Sequence, residues 1–368
     1  MLFLGATQRN TPGMPLPIEG SPRPYHATMA QISVILCTYN RCQALARALE
    51  SVGRSALPES TGWEVLVVDN NSTDQTRDVA AEFCRRYPDH FRYLFEPRQG
   101  KSHALNTGIA EARGAVLAFM DDDVTVEPTW LNNLTAPLLG GEWIGCGGRV
   151  LRDWTSPAPR WLAVDGRYQK MSWPLVSFDH GLEPAELNFA PCGTNMAFRR
   201  EAFETYGCFR TDLGPEGNEV RDRSDIKPQA KRTPRCCEDS EFAQRLLDSG
   251  KRLRYEPSAV VHHPVVEDRL TKEYFLRWWF NFGRGNARKQ ERPAVWGIPG
   301  NYFRLARMSI QIVARTLAWV TALTSRRRFY YKVLVWETAG VIFEDYLQVF
   351  NLTANSTRSR VRLRPKTD

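Results

Sequence analysis

The 368-residue chain has no uninterrupted apolar run of about 18 residues, the length that a membrane-spanning helix needs. The nearest stretch, Ile310 to Leu323, is broken by Arg315. Glycine is missing from the turn after the first apolar run, which reads Cys37-Thr-Tyr-Asn-Arg-Cys42. A dinucleotide-dependent oxidoreductase would need G-x-G-x-x-G there, so that its backbone could approach a pyrophosphate, and no P-loop occurs elsewhere. Both nucleotide-binding classes are excluded. The eight cysteines include no C-x-x-C pair, which argues for free thiols in a reducing, cytoplasmic setting and against a zinc ribbon or disulfide framework. The first residues, MLFLGATQRN, have neither a basic start nor a long apolar core and do not read as a signal peptide.

What is present is an ordinary folded composition, 42% hydrophobic and 24% charged, with a net charge of +8. The basic excess gathers late, in Arg326-Arg327-Arg328 and from Arg358 to Lys366. No zinc finger or RNP motif accompanies it, so nucleic acid is not the expected partner; an anionic surface or ligand is.

Ile32 to Cys37, Trp63 to Val68, Phe91 to Phe95 and Ala115 to Met120 are short apolar runs that read as strands. Helical periodicity fills 41–55, 74–87 and 102–112 between them. This alternation predicts an α/β fold with a mostly parallel central sheet and helices on both faces. Gly145 to Val150, Thr194 to Phe198 and Ala259 to Val261 read as further strands and Glu238 to Ser249 as a helix. Residues 153–185 read as irregular. The domain plan is an N-terminal extension, 1–30, poor in order; an α/β catalytic domain, 31–265, with a charged mobile loop at 214–235; and a helical, basic region, 266–368, with helices at 271–289 and 301–349. Tyr274 to Phe282 sets aromatics beside cations, a composition that suits a membrane interface or packing on the catalytic domain or a second subunit.

Ligands of parallel sheets sit at the carboxyl ends of the strands. The polar signals fall there: Thr38, Tyr39 and Asn40; Asp69; and Asp121-Asp122-Asp123. Three adjacent carboxylates repel one another, and a hard divalent cation, Mg²⁺ or Mn²⁺, relieves that. In an extended segment Asp121 and Asp123 would face one site and Asp122 another. Asp69 could accept hydrogen bonds from a nucleobase or ribose, or close an Asx turn. Lys101 could meet a diphosphate. Of His262 and His263, one could complete a metal shell. Glu238-Asp239 opens a helix, where capping is the plain reading and a general base the functional one.

The order of these segments resembles that of the family 2 glycosyltransferases of the GT-A fold. The matching stretches are Ile32 to Arg41, Val67 to Asp74, Gly100 to Ile109, Ala118 to Asp123, Gly193 to Phe198 and Glu238 to Phe242. The resemblance implies an inverting transfer of a sugar from a nucleoside-diphosphate sugar, UDP-linked by preference, to a hydroxyl of a glycan or lipid-linked acceptor. Thr38, Tyr39, Asn40, Asp69, Lys101, Asn106, Asp121 and Asp122 would border the donor, and Gly193, Thr194 and Asn195 the sugar and acceptor. Asp123, with Asp121 and His262, would hold the metal. Asp239 would be the base, with Glu238 the fallback. Cys237 stands where relatives often have glycine. A non-catalytic sugar-nucleotide-binding protein and a nucleotidyltransferase are the alternatives. The C-terminal helices imply peripheral contact with the cytoplasmic membrane or a homodimer.

Overall fold

The structure, a computed structural model, describes residues 31–215, 237–289 and 300–349. The expected extension 1–30, the charged loop beyond Pro215 and the basic run from Arg358 lie outside the described residues.

The first half alternates as β1 (Ile32–Thr38), α1 (Cys42–Gly53), β2 (Trp63–Asp69), α2 (Thr76–Arg86), β3 (Phe91–Phe95), α3 (Lys101–Glu111) and β4 (Val116–Asp121). Then come β5 (Thr125–Val126), α4 (Trp130–Leu139), β6 (Gly145–Trp154), β7 (Ala185–Leu187), β8 (Asn195–Arg199), α5 (Arg200–Tyr206), α6 (Glu238–Asp248) and β9 (Leu253–Val265). The chain continues in α7 (Lys272–Lys289), α8 (Gly300–Val320) and α9 (Ser325–Val349). One sheet runs in the order β3-β2-β1-β4-β8-β6-β9-β5, with β7 on β9. Strands β3, β2, β1 and β4 are mutually parallel, and β8 enters antiparallel between β4 and β6.

The apolar runs are continuous because both faces of the sheet are covered. Val34, Leu36, Val65 and Ala118 pack with Leu45 and Leu49 of α1, Phe83 of α2 and Trp130 of α4. Ile35, Leu66 and Phe119 point the other way, onto Leu105 of α3, Phe203 of α5 and Phe242 of α6. β9 is much longer than Ala259 to Val261. A register shift at Gly148/Arg149 of β6 leaves Pro257 unpaired, where its missing N–H costs no ladder bond.

The expected helical stretch 301–349 is made of α8 and α9, joined by a turn, with Arg326 to Arg328 in the first turn of α9. A third core joins Leu162, Met171 and Leu175 of the irregular segment to Phe275 and Trp279 of α7 and Phe329 and Val333 of α9. The aromatic segment Tyr274 to Phe282 takes part in this core: Phe275 and Trp279 have no exposed surface, and Tyr274, Leu276, Trp278 and Phe282 are half-buried against it. Helices α7 and α9 touch backbone to backbone at Gly283 and Gly340: a Cβ on Gly283 would fall 2.9 Å from the Glu337 carbonyl carbon. Buried Glu344 of α9 accepts from Arg284 Nε at 3.0 Å and Arg288 Nε at 2.7 Å.

Candidate active site

The parallel register sets Thr38 opposite Asp69 and Cys37 opposite Asp121, so the ends of β1, β2 and β4 lie side by side. β4 stops at Asp121, and Asp122 and Asp123 lie in the turn that follows. Strand alternation therefore does not separate them. Arg41 Nη1 reaches both, at 3.0 Å from Asp122 Oδ1 and 2.9 Å from Asp123 Oδ2. Asp121 Oδ1 instead pairs with Lys101 Nζ at 2.6 Å, and the same ammonium lies 3.8 Å from Glu238 Oε1. Arg269 Nη2 adds a second cation to Asp123 Oδ2 at 2.7 Å.

These pairings set the protonation of the acids. Burial pushes Asp122 up to about 6, with Arg41 opposing and Asp123 assisting. Burial works the same way on Asp123, but Arg269 and Arg41 overcome it and hold this carboxyl well below the usual range. Glu238 is raised to about 7 by burial and by Asp239 beside it, against Lys101. Burial works to lower Lys101, but the Asp121 and Glu238 carboxylates hold it well above its ordinary value.

Asp239 sits in the first turn of α6, and the chain enters that helix through Cys237 at φ 80°, the left-handed conformation that glycine would adopt more easily. Its Oδ2 accepts from Gly193 N–H at 2.9 Å and its Oδ1 from Ser240 N–H at 2.6 Å. A Cβ on Gly193 would fall 3.0 Å from Asp239 Cγ and nearer still to Oδ2, so only glycine leaves this carboxylate where it is.

Several expected contacts prove to be braces. Asn195 is fully buried. Its amide donates to Arg149 O and Ala259 O, and its Oδ1 accepts from Trp130 Nε1, so it ties β8 to β6, β9 and α4 and presents nothing to a sugar. Asn106 exchanges two hydrogen bonds with the Phe209 backbone. Asn40 Oδ1 accepts from Thr73 and Asp74 N–H and joins the loops after β1 and β2. Asp69 makes the Asx turn: Oδ1 accepts from Ser72 N–H at 2.9 Å, and Oδ2 accepts from Tyr93 OH at 2.9 Å, at the carboxyl end of β2. His262 Nε2 meets Glu127 Oε1 at 2.7 Å, outside the acidic cluster. The buried face of β9 instead carries His263, whose Nε2 is 3.8 Å from Asp123 Oδ1, so the histidine of the site is shifted by one residue. Arg41 and Arg269 were not foreseen as site residues. Arg41 was legible in its place directly after Thr38-Tyr39-Asn40; Arg269 carries no local signal.

Among the described residues no three His, Cys, Asp or Glu side chains close a metal cage. Asp123 Oδ1 with His263 Nε2 still suits a Mg²⁺ or Mn²⁺ that keeps waters and substrate phosphates in its shell, because the two guanidinium groups occupy the other oxygen, Oδ2. Thr194 Oγ1 is buried with no hydrogen-bond partner among the described residues.

The family model "Glycosyl transferase family 2" matches residues 33–207. Glycosyltransferase AglE of Haloferax volcanii is 37% identical over 125 residues, 34% of this chain and 40% of that protein, so the match spans less than half of that relative. The glucosyl-dolichyl phosphate glucuronosyltransferase of the same organism is 26% identical over 262 residues, 69% of this chain and 76% of the relative. The mannosyltransferase PcManGT of Pyrobaculum calidifontis, solved with GDP-Man and Mn²⁺, superposes with a TM-score of 0.54 at 19% identity over 91% of each chain. The fold is of the GT-A type, an α/β domain with a central sheet and a helical C-terminal region. Over residues 33–207, a little under half of its length, the chain is similar to the family 2 glycosyltransferases.

Proposed function

We propose that the protein moves a sugar from a nucleoside-diphosphate sugar to an acceptor hydroxyl, with inversion and with Asp239 as base. The observation that carries this reading is the seat of Asp239: a carboxylate held by Gly193 N–H, beside a lysine that feels Asp121, Glu238 and Asp239 together. Base and donor-side charges thus lie close together. The acceptor oxygen gives its proton to Asp239 and bonds to the anomeric carbon. On the opposite side, the bond from that carbon to the diphosphate oxygen breaks and its electron pair leaves with the nucleoside diphosphate. Lys101, Arg41 and Arg269 offer positive charge to the leaving group. A divalent cation would be held by Asp123 and His263, with Asp121 near, and when bound it supplies further charge to the phosphates.

Thr38, Tyr39 and Asp69 suit the nucleoside, and the unpartnered Thr194 hydroxyl suits a sugar hydroxyl. A UDP-sugar is the first donor to test. The glucuronosyltransferase relative is named for a dolichyl-phosphate acceptor, which favours a lipid-linked acceptor here. No described helix is long and apolar enough to cross a membrane. The contact proposed with such an acceptor is peripheral, from the cytoplasmic side.

A screen of nucleotide sugars for nucleoside diphosphate release, with Mn²⁺ and with EDTA, tests the donor. Asp239→Asn is expected to bind donor in the presence of Mn²⁺ and to fail in transfer. Full transfer by that variant would sink the assignment of the base.

A further inference from the structure

Helix α8 turns an apolar row to solvent. Phe303, Ile310, Val313, Leu317 and Val320 are between 45% and 73% exposed, and Leu323, just past the helix, is 94% exposed. From Phe303 the steps are 7, 3, 4 and 3 residues, which keeps them on one face for about 26 Å. The opposite face is bound to α9: Arg304 Nε lies 2.7 Å from Asp345 Oδ2, and Arg315 Nη1 is 3.1 Å from Leu334 O. The row is therefore an outer surface of a firmly seated helix.

At its C-terminal end the row runs into a groove. Leu323 belongs to both, and Lys272, Trp319, Arg328 and Lys332 line the rest. Lys332 Nζ lies over the Trp319 and Trp336 rings and Lys272 Nζ over Trp161 and Phe329. Lys272, Arg328 and Lys332 have no carboxylate partner among the described residues. Arg326 and Arg327 beside them are exposed. From Gly300 to Trp336 the chain has seven Lys and Arg and no Asp or Glu.

That charge decides what covers the row. Of these cations, Arg304 and Arg315 face α9; a second copy docked on the row would meet the remaining five with no carboxylate from the same segment. An anionic bilayer complements them, and an apolar helix face with a basic border is what lies in the headgroup region without crossing. We propose that α8 rests in the surface of an anionic membrane with Phe303, Ile310, Leu317 and Leu323 toward the acyl chains, and that Lys272, Arg328 and Lys332 seat a phospholipid headgroup. The inference takes peripheral contact from the reading above and is independent of the donor chemistry.

The test is flotation of the full chain with phosphatidylcholine vesicles, with and without phosphatidylglycerol, at low and high salt, beside donor-hydrolysis activity and sedimentation. The wild type is expected to float with phosphatidylglycerol vesicles at low salt and to be released by high salt. Changing Arg326, Arg327 and Arg328 together to Gln should weaken that binding on the order of a hundredfold, at about 1 kcal/mol per charge. Ile310→Ser with Leu317→Ser should abolish it. Both variants change exposed residues and should keep the donor-hydrolysis rate, which separates lost docking from lost folding. Absence of wild-type flotation at low salt, equal binding to pure phosphatidylcholine, or a wild-type dimer that the serine variant splits would each overturn the proposal.

Discussion

Gly193→Ala tests the geometry of the proposed base with one methyl group. The new Cβ would stand 3.0 Å from Asp239 Cγ, 3.1 Å from its Cβ and nearer still to Oδ2, where ordinary contact begins at 3.4 Å. The Gly193 backbone is not in the left-handed region, so alanine brings no strain of its own. The carboxylate must retreat by about half an ångström to one ångström, and the Gly193 N–H···Oδ2 bond of 2.9 Å is stretched or lost. A hydrogen bond to a charged group is worth about 1.5–3 kcal/mol, or roughly 10- to 150-fold in rate if it is needed to aim the base. Misplacing a catalytic group by about 1 Å costs about a hundredfold by a separate route. Both point to a fall in kcat of about two orders of magnitude. Donor KM should hold, because Lys101, Asp121 and Asp123 are untouched. The assay is steady-state release of nucleoside diphosphate with the true acceptor, with a thermal melt to show that the fold survives. A kcat within about threefold of wild type, with an unchanged melt, would refute the claim that Asp239 acts from this seat.

Three further outcomes follow from the same residues. Glu238 is held at about 7, above its ordinary 4.5, so its protonated form contributes stability that is complete below about pH 4.5 and lost as the pH rises through 7. Urea unfolding at about pH 5 and 8 should show the wild type losing about 2–3 kcal/mol relative to Glu238→Gln over that span, and parallel profiles would contradict it. His263→Ala should weaken Mn²⁺-dependent donor binding about tenfold or more. His262→Ala removes only a half-exposed pair with Glu127 and should change it less than about threefold; calorimetric titration that reversed the two would restore His262 as the ligand. A chain ended after residue 265 should lose donor hydrolysis and melt lower than the full chain, since it lacks Arg269 and opens the third core; full activity in that fragment would contradict this.

The first half of the fold was legible because its physics is local. Short β-branched apolar runs such as Val65 to Val68, bounded by polar turns, suit strands covered on both sides, and their carboxyl ends mark Thr38, Asp69 and Asp121 as neighbours. What misled was chemistry that depends on where an element stops. Alternation along Asp121-Asp122-Asp123 fails because β4 ends at the first of them. The asparagines failed differently. Asn40, Asn106 and Asn195 stand beside ligand-facing residues, but each satisfies backbone or a buried indole brought near by folding, and Trp130 lies 65 residues from the amide it needs. His263 could have been chosen over His262, since Ala259, Val261 and His263 share one face of a strand.

The C-terminal helices look separable in sequence, but their hydrogen bonds lead back to the site. Glu344 of α9 holds Arg288, whose Nη1 donates to Asp212 O at 3.3 Å. The next residue's carbonyl, Leu213 O, accepts from Ser102 Oγ at 2.8 Å, and Pro215 O accepts from Lys101 N–H at 2.9 Å. Gly214 makes that strap possible: its φ is +92°, and a Cβ there would press on Ser102 Oγ and Glu238. The strap thus clamps the first turn of α3, whose lysine divides its charge between Asp121 and Glu238. The hydrogen bonds thus run without a break in the fold from Glu344 of α9 to the backbone of Lys101.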